Sequence, residues 1–495
     1  PKHERLRRFL AIFLIAVFVL GSLAGLMAPI FAAEYVWPDF EDDVYVTDVY
    51  GDWEEPSFTG EDIVSVHYDK AALDKAALDF LKVWGLSFEA LPTPEQISKT
   101  KPQAVPAEDK ARAALDSFLA EYDKFVTQYS VVQFLYSQNV TDQGLKDELQ
   151  YTKDLDSSTF NLVLETLQGV QKNPDLQGLL AKIIGENYYK DLADSLAVTP
   201  TQEENVKKQN ALELEFDGLQ NDILNGTADE EKSRDRIADI YIELVKLRNA
   251  YAKESGYSDY LAYTEDTAMG RDYSREDLAK LYQAIKTYIV PTFFYLSVAY
   301  DWDALSSYDF LYGTELLDQV GPFLAGISTE LEESFNYMRN AGLHKVGDEG
   351  TSEQVSYTVS VPSYHSAMIF QFPYQPSAQV STLIHEFGHF NTAVRQDGWN
   401  FFNGSNVDIA EIHSQGMEVL FMPYYKAIYG ENLADAAVQD NLLNLLWSIM
   451  TGAMYNEFET YTHTEPDLTP EKIDAKYREL AEAYGVGSNT GREWM

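Results

Sequence analysis

Two histidines with a glutamate between them lie within one five-residue stretch, His385-Glu-Phe-Gly-His389. The apolar residues around it recur at three- and four-residue spacing, which predicts a helix. On a helix, positions i and i+4 share a face, so both imidazoles can bind one zinc ion while the glutamate handles a water molecule. The pattern therefore predicts His385 and His389 as metal ligands and Glu386 as a general base.

A catalytic zinc site needs a third protein ligand. A second predicted helix, capped by Asp408, carries Glu411, Gln415 and Glu418 at positions i, i+4 and i+7. Such a polar stripe commonly faces solvent, but the short gap to the histidine helix favours a close helix pair and makes Glu411 the predicted third ligand. His413 is the alternative ligand, at about 200° around the helix from Glu411. Asp408, Gln415 and Glu418 are candidates for orienting the imidazoles, and Glu418 is preferred.

The composition narrows the possible chemistry. The chain has 495 residues, no cysteine and a formal net charge of −42. Without cysteine there is no thiolate ligand, disulfide or thiol nucleophile, so His, Asp and Glu must hold any metal. A surface this acidic repels phosphate groups, and we expect no nucleic-acid partner.

The N-terminus has the features of an export signal. Basic residues precede an apolar run, 9–31, which is followed by two alanines and then by acidic sequence. About 20 apolar residues suffice to span a bilayer, so the run is also long enough to act as an anchor. Residues 1–33 are therefore predicted to be a signal peptide or signal anchor. The protein is expected to be exported, either extracellular or anchored to the outer face of the plasma membrane.

The rest of the chain is predicted to be mostly helical. Residues 34–106, which prolines interrupt, are interpreted as a tether and N-terminal segment, 107–212 as an N-terminal helical lobe and 213–495 as the catalytic domain. Strand-like sequence at Val355–Val361 and Met368–Phe372 predicts one small sheet beside the zinc-site helix. The second of these strands either forms an edge that receives an extended peptide or only packs against the zinc-site helix.

The segment Thr382–His389, followed by Ala410–Glu418, resembles the oligoendopeptidase F branch of the thimet oligopeptidase family, and the likeness extends over roughly residues 110–495. The resemblance implies a two-lobed, mostly helical body around a deep central channel that admits short peptides and excludes folded proteins. It also implies one Zn²⁺ per chain, held by the two histidines and Glu411, with Glu386 as the base.

One departure from the family concerns the C-terminus. The family's chain continues past the position that resembles Gly491–Trp494, into helices with a Tyr/His-rich segment that binds substrate and stabilises the oxyanion. Because this sequence ends at Met495, we expect a truncated catalytic domain, with the substrate-binding residues mainly in the missing segment.

The predicted function is that of a zinc-dependent endopeptidase that hydrolyses peptide bonds in short oligopeptides. One alternative is a zinc aminopeptidase, which needs an anchor for the free amine of its substrate. The other alternative is a non-catalytic or crippled surface-anchored peptide-binding protein.

Overall fold

The computed structural model describes residues 53–487 apart from 196, 225, 228, 310, 349, 374–377 and 396–406. All of these but Trp53 belong to the unit Glu54–Met495. The predicted export signal lies outside the described residues. Within them, no helix combines the length and the apolar character needed to cross a bilayer.

The N-terminal helices share one buried core. They are α1 (Lys70–Val83), α2 (Pro94–Lys99), α3 (Glu108–Gln138), α4 (Gln143–Gln171), α5 (Gln177–Ile184) and α6 (Glu186–Asp194). Leu73, Ala77 and Phe80 are buried on α1 because their spacing puts them on one helix face, which packs against the core. Part of the segment interpreted as a tether, residues 70–99, thus contributes to the core that the N-terminal helices share.

The next helices lead to the sheet. They are α7 (Pro200–Leu224), α8 (Glu230–Glu254), α9 (Tyr260–Thr267), α10 (Arg275–Ala284), α11 (Val290–Ala299), α12 (Gly313–Val320) and α13 (Thr329–Ala341). A π-helical turn, Ile285–Ile289, joins α10 to α11. Pro291 is the second residue after it, and since proline has no N–H to donate to the preceding turn, the wider turn accommodates it without ending the helix.

Three strands form the sheet: β1 (His344–Val346), β2 (Tyr357–Val361) and β3 (Ser366–Gln371). Their order is β1-β3-β2, with β3 parallel to β1 and antiparallel to β2. The interpretation of Met368–Phe372 as an edge strand is wrong, because β3 has a neighbour on each side and all six of its residues are buried. The alternative interpretation holds, since β3 packs against the helix that carries the histidines.

The C-terminal helices are α14 (Gln379–Arg395), α15 (Ile412–Phe421), α16 (Tyr425–Tyr429), α17 (Ala434–Thr464) and α18 (Pro470–Tyr484). A second buried core combines side chains of α8, α10, α11, α17 and α18. The predicted fold class, mostly helical with one small sheet, is confirmed. The deep central channel stays a prediction.

A buried polar chain ties α14 to the sheet. The His344 Nε2 atom of β1 lies 2.7 Å from the Gln371 Oε1 atom of β3. Gln371 in turn donates from Nε2 to the backbone oxygen of Gln379 at 3.0 Å, at the start of α14. Because buried polar groups are costly unless they are hydrogen-bonded, this chain fixes the start of the histidine helix against the two strands.

Candidate metal centre

The two histidines of α14 meet the carboxylate of Glu411. The Glu411 Oε2 atom lies 3.2 Å from the Nε2 atom of His385 and 3.5 Å from that of His389. The three possible ligand atoms all lie within 4.8 Å of one another. Glu411 is the residue that immediately precedes α15, and the Ser414 hydroxyl oxygen lies 2.7 Å from the same carboxylate oxygen. The structure thus brings together the three side chains that the sequence pattern selects.

These distances suit a zinc ion. Ligand atoms about 2.0–2.1 Å from a tetrahedral ion lie about 3.3–3.4 Å apart, close to the two distances measured from Glu411. Two imidazoles and one carboxylate are also a donor set that leaves a fourth position for water or substrate. The residues present therefore fit a catalytic zinc ion.

Both imidazoles have a partner on their other ring nitrogen. The His385 Nδ1 atom lies 2.8 Å from Glu418 Oε1, and the His389 Nδ1 atom lies 2.9 Å from the His413 Nε2 atom. Occupied Nδ1 atoms leave Nε2 of each ring for a metal and fix the ring orientation. His413, the alternative third ligand, lies on the Nδ1 side of the His389 ring and is not part of the three-residue group.

Glu418 is in turn held by the long helix α17. Its Oε2 atom accepts a hydrogen bond at 3.1 Å from Asn441 Nδ2, which also donates to the Tyr425 hydroxyl oxygen at 2.8 Å. Glu418 is buried, with 7% of its surface exposed. The preferred candidate for orienting an imidazole thus lies directly against His385.

The other two candidates lie elsewhere. Asp408 pairs with Arg271 through two hydrogen bonds of 2.9 Å and also accepts one from the Tyr273 hydroxyl. Its carboxylate is thus held by Arg271 and Tyr273, and the helix it was expected to cap begins after Glu411. Gln415 donates its backbone N–H to the Glu411 carbonyl oxygen at 3.0 Å. Its side chain makes no hydrogen bond to either ligand histidine within the described residues.

Glu386 lies on α14 next to His385 and is buried, with 5% of its surface exposed. Its Oε2 atom accepts a hydrogen bond at 2.8 Å from the Thr358 hydroxyl of β2. Burial raises the pKa of Glu386, and the positive charge of the neighbouring His385 opposes that rise. The predicted base is therefore an enclosed carboxylate beside the candidate metal ligands.

The ionisable side chains of the site strongly influence one another's pKa. Burial favours a lower pKa for His385, but hydrogen bonds to Glu411 and Glu418 raise that pKa to about 10. Hydrogen bonds from His385 and His389 hold the pKa of Glu411 well below its usual range. Burial, together with the nearby charge of His389, lowers the pKa of His413. A metal ion that binds here must therefore displace a proton from His385, which makes binding weaker at low pH.

Gly388 allows the two helices of the site to approach closely. A Cβ atom built at this position would lie 2.7 Å from the Ser414 Cα atom and 2.8 Å from the His413 carbonyl oxygen. Glycine is unfavourable inside a helix by about 1 kcal/mol relative to alanine. The close approach of α15 to α14 explains why glycine occurs here.

Sequence reasoning missed two residues that contact the site, Thr358 and Asn441, and it considered His413 as an alternative ligand and not as the partner of His389. The alternation of Val355–Val361 groups Thr358 with Ser356 and Ser360 on one strand face, but it does not say which of them faces the helix. Asn441 carries no such signal, because its contact depends on how α17 packs.

Comparison with known structures identifies the fold. A Bacillus anthracis str. Ames protein described as an oligoendopeptidase F matches with a TM-score of 0.71 and 18% identity, over 86% of this chain and 84% of that chain. PZ peptidase A with a bound inhibitor matches with a TM-score of 0.68 and 18% identity, over 86% and 81% of the two chains. A second structure described as an oligoendopeptidase F matches with a TM-score of 0.68 and 17% identity, over 87% of this chain and 81% of that chain. No family model and no curated protein sequence matches the chain. The chain therefore has the fold of these oligoendopeptidase F structures.

Proposed function

We propose that this protein is a zinc-dependent endopeptidase that cleaves short peptides. The observation that carries the proposal is the position of Glu411 Oε2, 3.2 Å and 3.5 Å from the Nε2 atoms of His385 and His389, with the buried Glu386 alongside. The fold adds support, because the similar structures are described as peptidases.

The chemistry follows from the side chains present. His385, His389 and Glu411 would hold a zinc ion, which when bound would supply a Lewis acid to polarise the scissile carbonyl and make water more acidic. Glu386 takes a proton from the attacking water and passes it to the leaving amine. Its buried position raises its pKa, which makes its carboxylate a stronger base than an exposed one.

The sheet provides a place for an extended substrate. β2 is an outer strand, and within the described residues no strand pairs with its outer edge. A peptide can add to such an edge through main-chain hydrogen bonds. Because Thr358 of β2 contacts Glu386, a peptide on this edge lies near the base.

The surroundings of Glu411 favour an endopeptidase over an aminopeptidase. An aminopeptidase needs carboxylates that can bind the free amine of its substrate. Asp408 is paired with Arg271, and Glu418 is occupied by His385 and Asn441. These two carboxylates are therefore committed to partners within the protein.

The test is hydrolysis of a short, N-blocked, internally quenched peptide by the full chain, with bound zinc counted in the same sample. Glu386→Gln should keep its zinc and lose turnover by about 10²–10⁴-fold, because the general base is gone. Cleavage restricted to unblocked peptides would favour an aminopeptidase, and peptide binding without cleavage would favour the non-catalytic alternative. A folded sample that binds no zinc would refute the proposal.

We also propose that the protein is exported, either into the extracellular space or to the outer face of the plasma membrane. The support is the sequence of residues 1–33, in which a basic start precedes the apolar run. Fractionation of cells that produce the full chain tests this, and accumulation in the cytoplasm would contradict it.

A further inference from the structure

We propose that Thr358 is a positioning residue for the general base. Its hydroxyl holds the Oε2 atom of Glu386 and leaves the Oε1 atom to take up the proton of the attacking water. This inference rests on the proposed function, since it assigns a role in the same reaction.

The geometry gives the Thr358 hydroxyl two acceptors on one residue. Its Oγ1 atom lies 2.8 Å from Glu386 Oε2 and 2.9 Å from the Glu386 backbone oxygen. The hydroxyl has a single proton, so it donates to one of these atoms at a time. A charged carboxylate is the stronger acceptor, and the hydroxyl therefore donates to Oε2 while Glu386 is ionised.

Burial makes this contact important. Glu386 is 5% exposed, and a buried carboxylate needs hydrogen bonds to compensate for lost hydration. Among the described residues, Thr358 is the hydrogen-bond partner of Oε2, and Oε1 has none. The two oxygens are thus unequal: one is anchored, and the other is available for proton transfer.

The anchor is part of a rigid element. Thr358 pairs with Ile369 of the central strand β3, and Ile369 is fully buried. A glutamate has three rotatable side-chain bonds, so its position on α14 alone does not place its carboxylate. Catalytic groups must be held to within about 0.5 Å, and support from outside their own helix achieves this.

A purely structural role makes a different prediction. If Thr358 only fills space or bonds the Glu386 carbonyl oxygen, valine at this position should preserve turnover or should damage folding and zinc content. If the hydroxyl places the base, turnover should fall while the protein stays folded and KM and bound zinc stay unchanged.

The experiment compares Thr358→Val and Thr358→Ser with the wild-type full chain. Thr152→Val is the matched control, since Thr152 is a fully buried threonine of α4 whose hydroxyl bonds the Glu148 and Leu149 backbone oxygens. Thr358→Val should lower kcat by about 10- to 100-fold, the usual effect of removing a partner that orients a site residue. Thr358→Ser should recover most of that loss, and Thr152→Val should leave kcat unchanged.

Crystal structures of Thr358→Val and of the wild type provide a second readout. The Glu386 carboxylate should leave its wild-type position in Thr358→Val and keep it in Thr358→Ser. Full kcat in Thr358→Val, equal loss in both variants, loss of zinc or failure to fold would each overturn the proposal. If the wild type cleaves no peptide, the proposed function fails, and the carboxylate positions still decide whether Thr358 orients Glu386.

Discussion

Replacing Gly388 by alanine should weaken zinc binding by separating α14 from α15. The added Cβ atom would lie 2.7 Å from the Ser414 Cα atom and 2.8 Å from the His413 carbonyl oxygen. Both are backbone atoms, so no change of rotamer relieves the clash. Carbon atoms in ordinary contact are about 3.5–4.0 Å apart, so α15 has to move by about 1 Å at this point.

That movement reaches the metal site because Glu411 immediately precedes α15. Metal–ligand distances tolerate deviations of only about 0.2 Å, so zinc binding has to restore the original helix spacing against the clash. Overpacking costs about 1–3 kcal/mol, and the higher helix propensity of alanine does not offset this cost in zinc binding because it acts on the zinc-free and zinc-bound forms alike. A loss of about 1–3 kcal/mol corresponds to zinc affinity lower by about 5- to 150-fold.

Competition with a fluorescent zinc chelator measures this affinity directly. Gly416→Ala is the matched control, because Gly416 lies on α15 and a Cβ atom added there meets no atom within 4 Å. That variant should bind zinc as the wild type does and be slightly more stable. Wild-type zinc affinity and thermal stability in Gly388→Ala would show that the close approach of the helices does not constrain the site.

Two further predictions concern polar contacts. Glu418→Gln should lower zinc affinity by about 10- to 100-fold in the same assay, because His385 loses a charged partner, and unchanged affinity would show that this contact is dispensable. Burial lowers the pKa of His344 to about 4, whereas a histidine in an unfolded chain has a pKa of about 6.5. The unfolded state therefore binds the proton first as the pH falls, and stability is lost between about pH 6.5 and pH 4. In denaturant unfolding across this pH range, the free energy of unfolding of His344→Asn should change less steeply with pH than that of the wild type, by up to about 1.4 kcal/mol per pH unit. An identical slope would contradict the assignment.

The parts of the site that follow from helical spacing could be predicted from the sequence. His385 and His389 share a face because they are four residues apart, and this holds wherever the helix lies in the fold. Predicting Glu411 as a ligand required one further inference, that two helices separated by a short segment pack closely together. The structure shows that pairing, and Gly388, whose presence in a helix called for a packing reason, lies at the contact.

The parts that depend on tertiary packing could not be predicted. The strand His344–Val346 has three residues, too few for a pattern of alternation, yet its pairing makes β3 a central strand. The angle between Glu411 and His413 on an ideal helix indicates only that they cannot bind one ion together. It does not show that His413 contacts the Nδ1 atom of His389, because that contact depends on how closely α15 approaches α14.

The site residues are held by elements other than their own, and this separates metal binding from turnover. Glu418 on α15 holds His385 on α14, so a shift of α15 moves both the third ligand and the partner of the first. Such a shift, as in Gly388→Ala, should lower zinc affinity while kcat at saturating zinc stays close to the wild-type value. Thr358 lies on the sheet and contacts only the base among these groups, so Thr358→Val should lower kcat at unchanged zinc affinity. If Gly388→Ala and Thr358→Val changed the same quantity, either zinc affinity or kcat, then α14, α15 and β2 would have to move together. The separate roles assigned to Thr358 and Gly388 would then both be wrong.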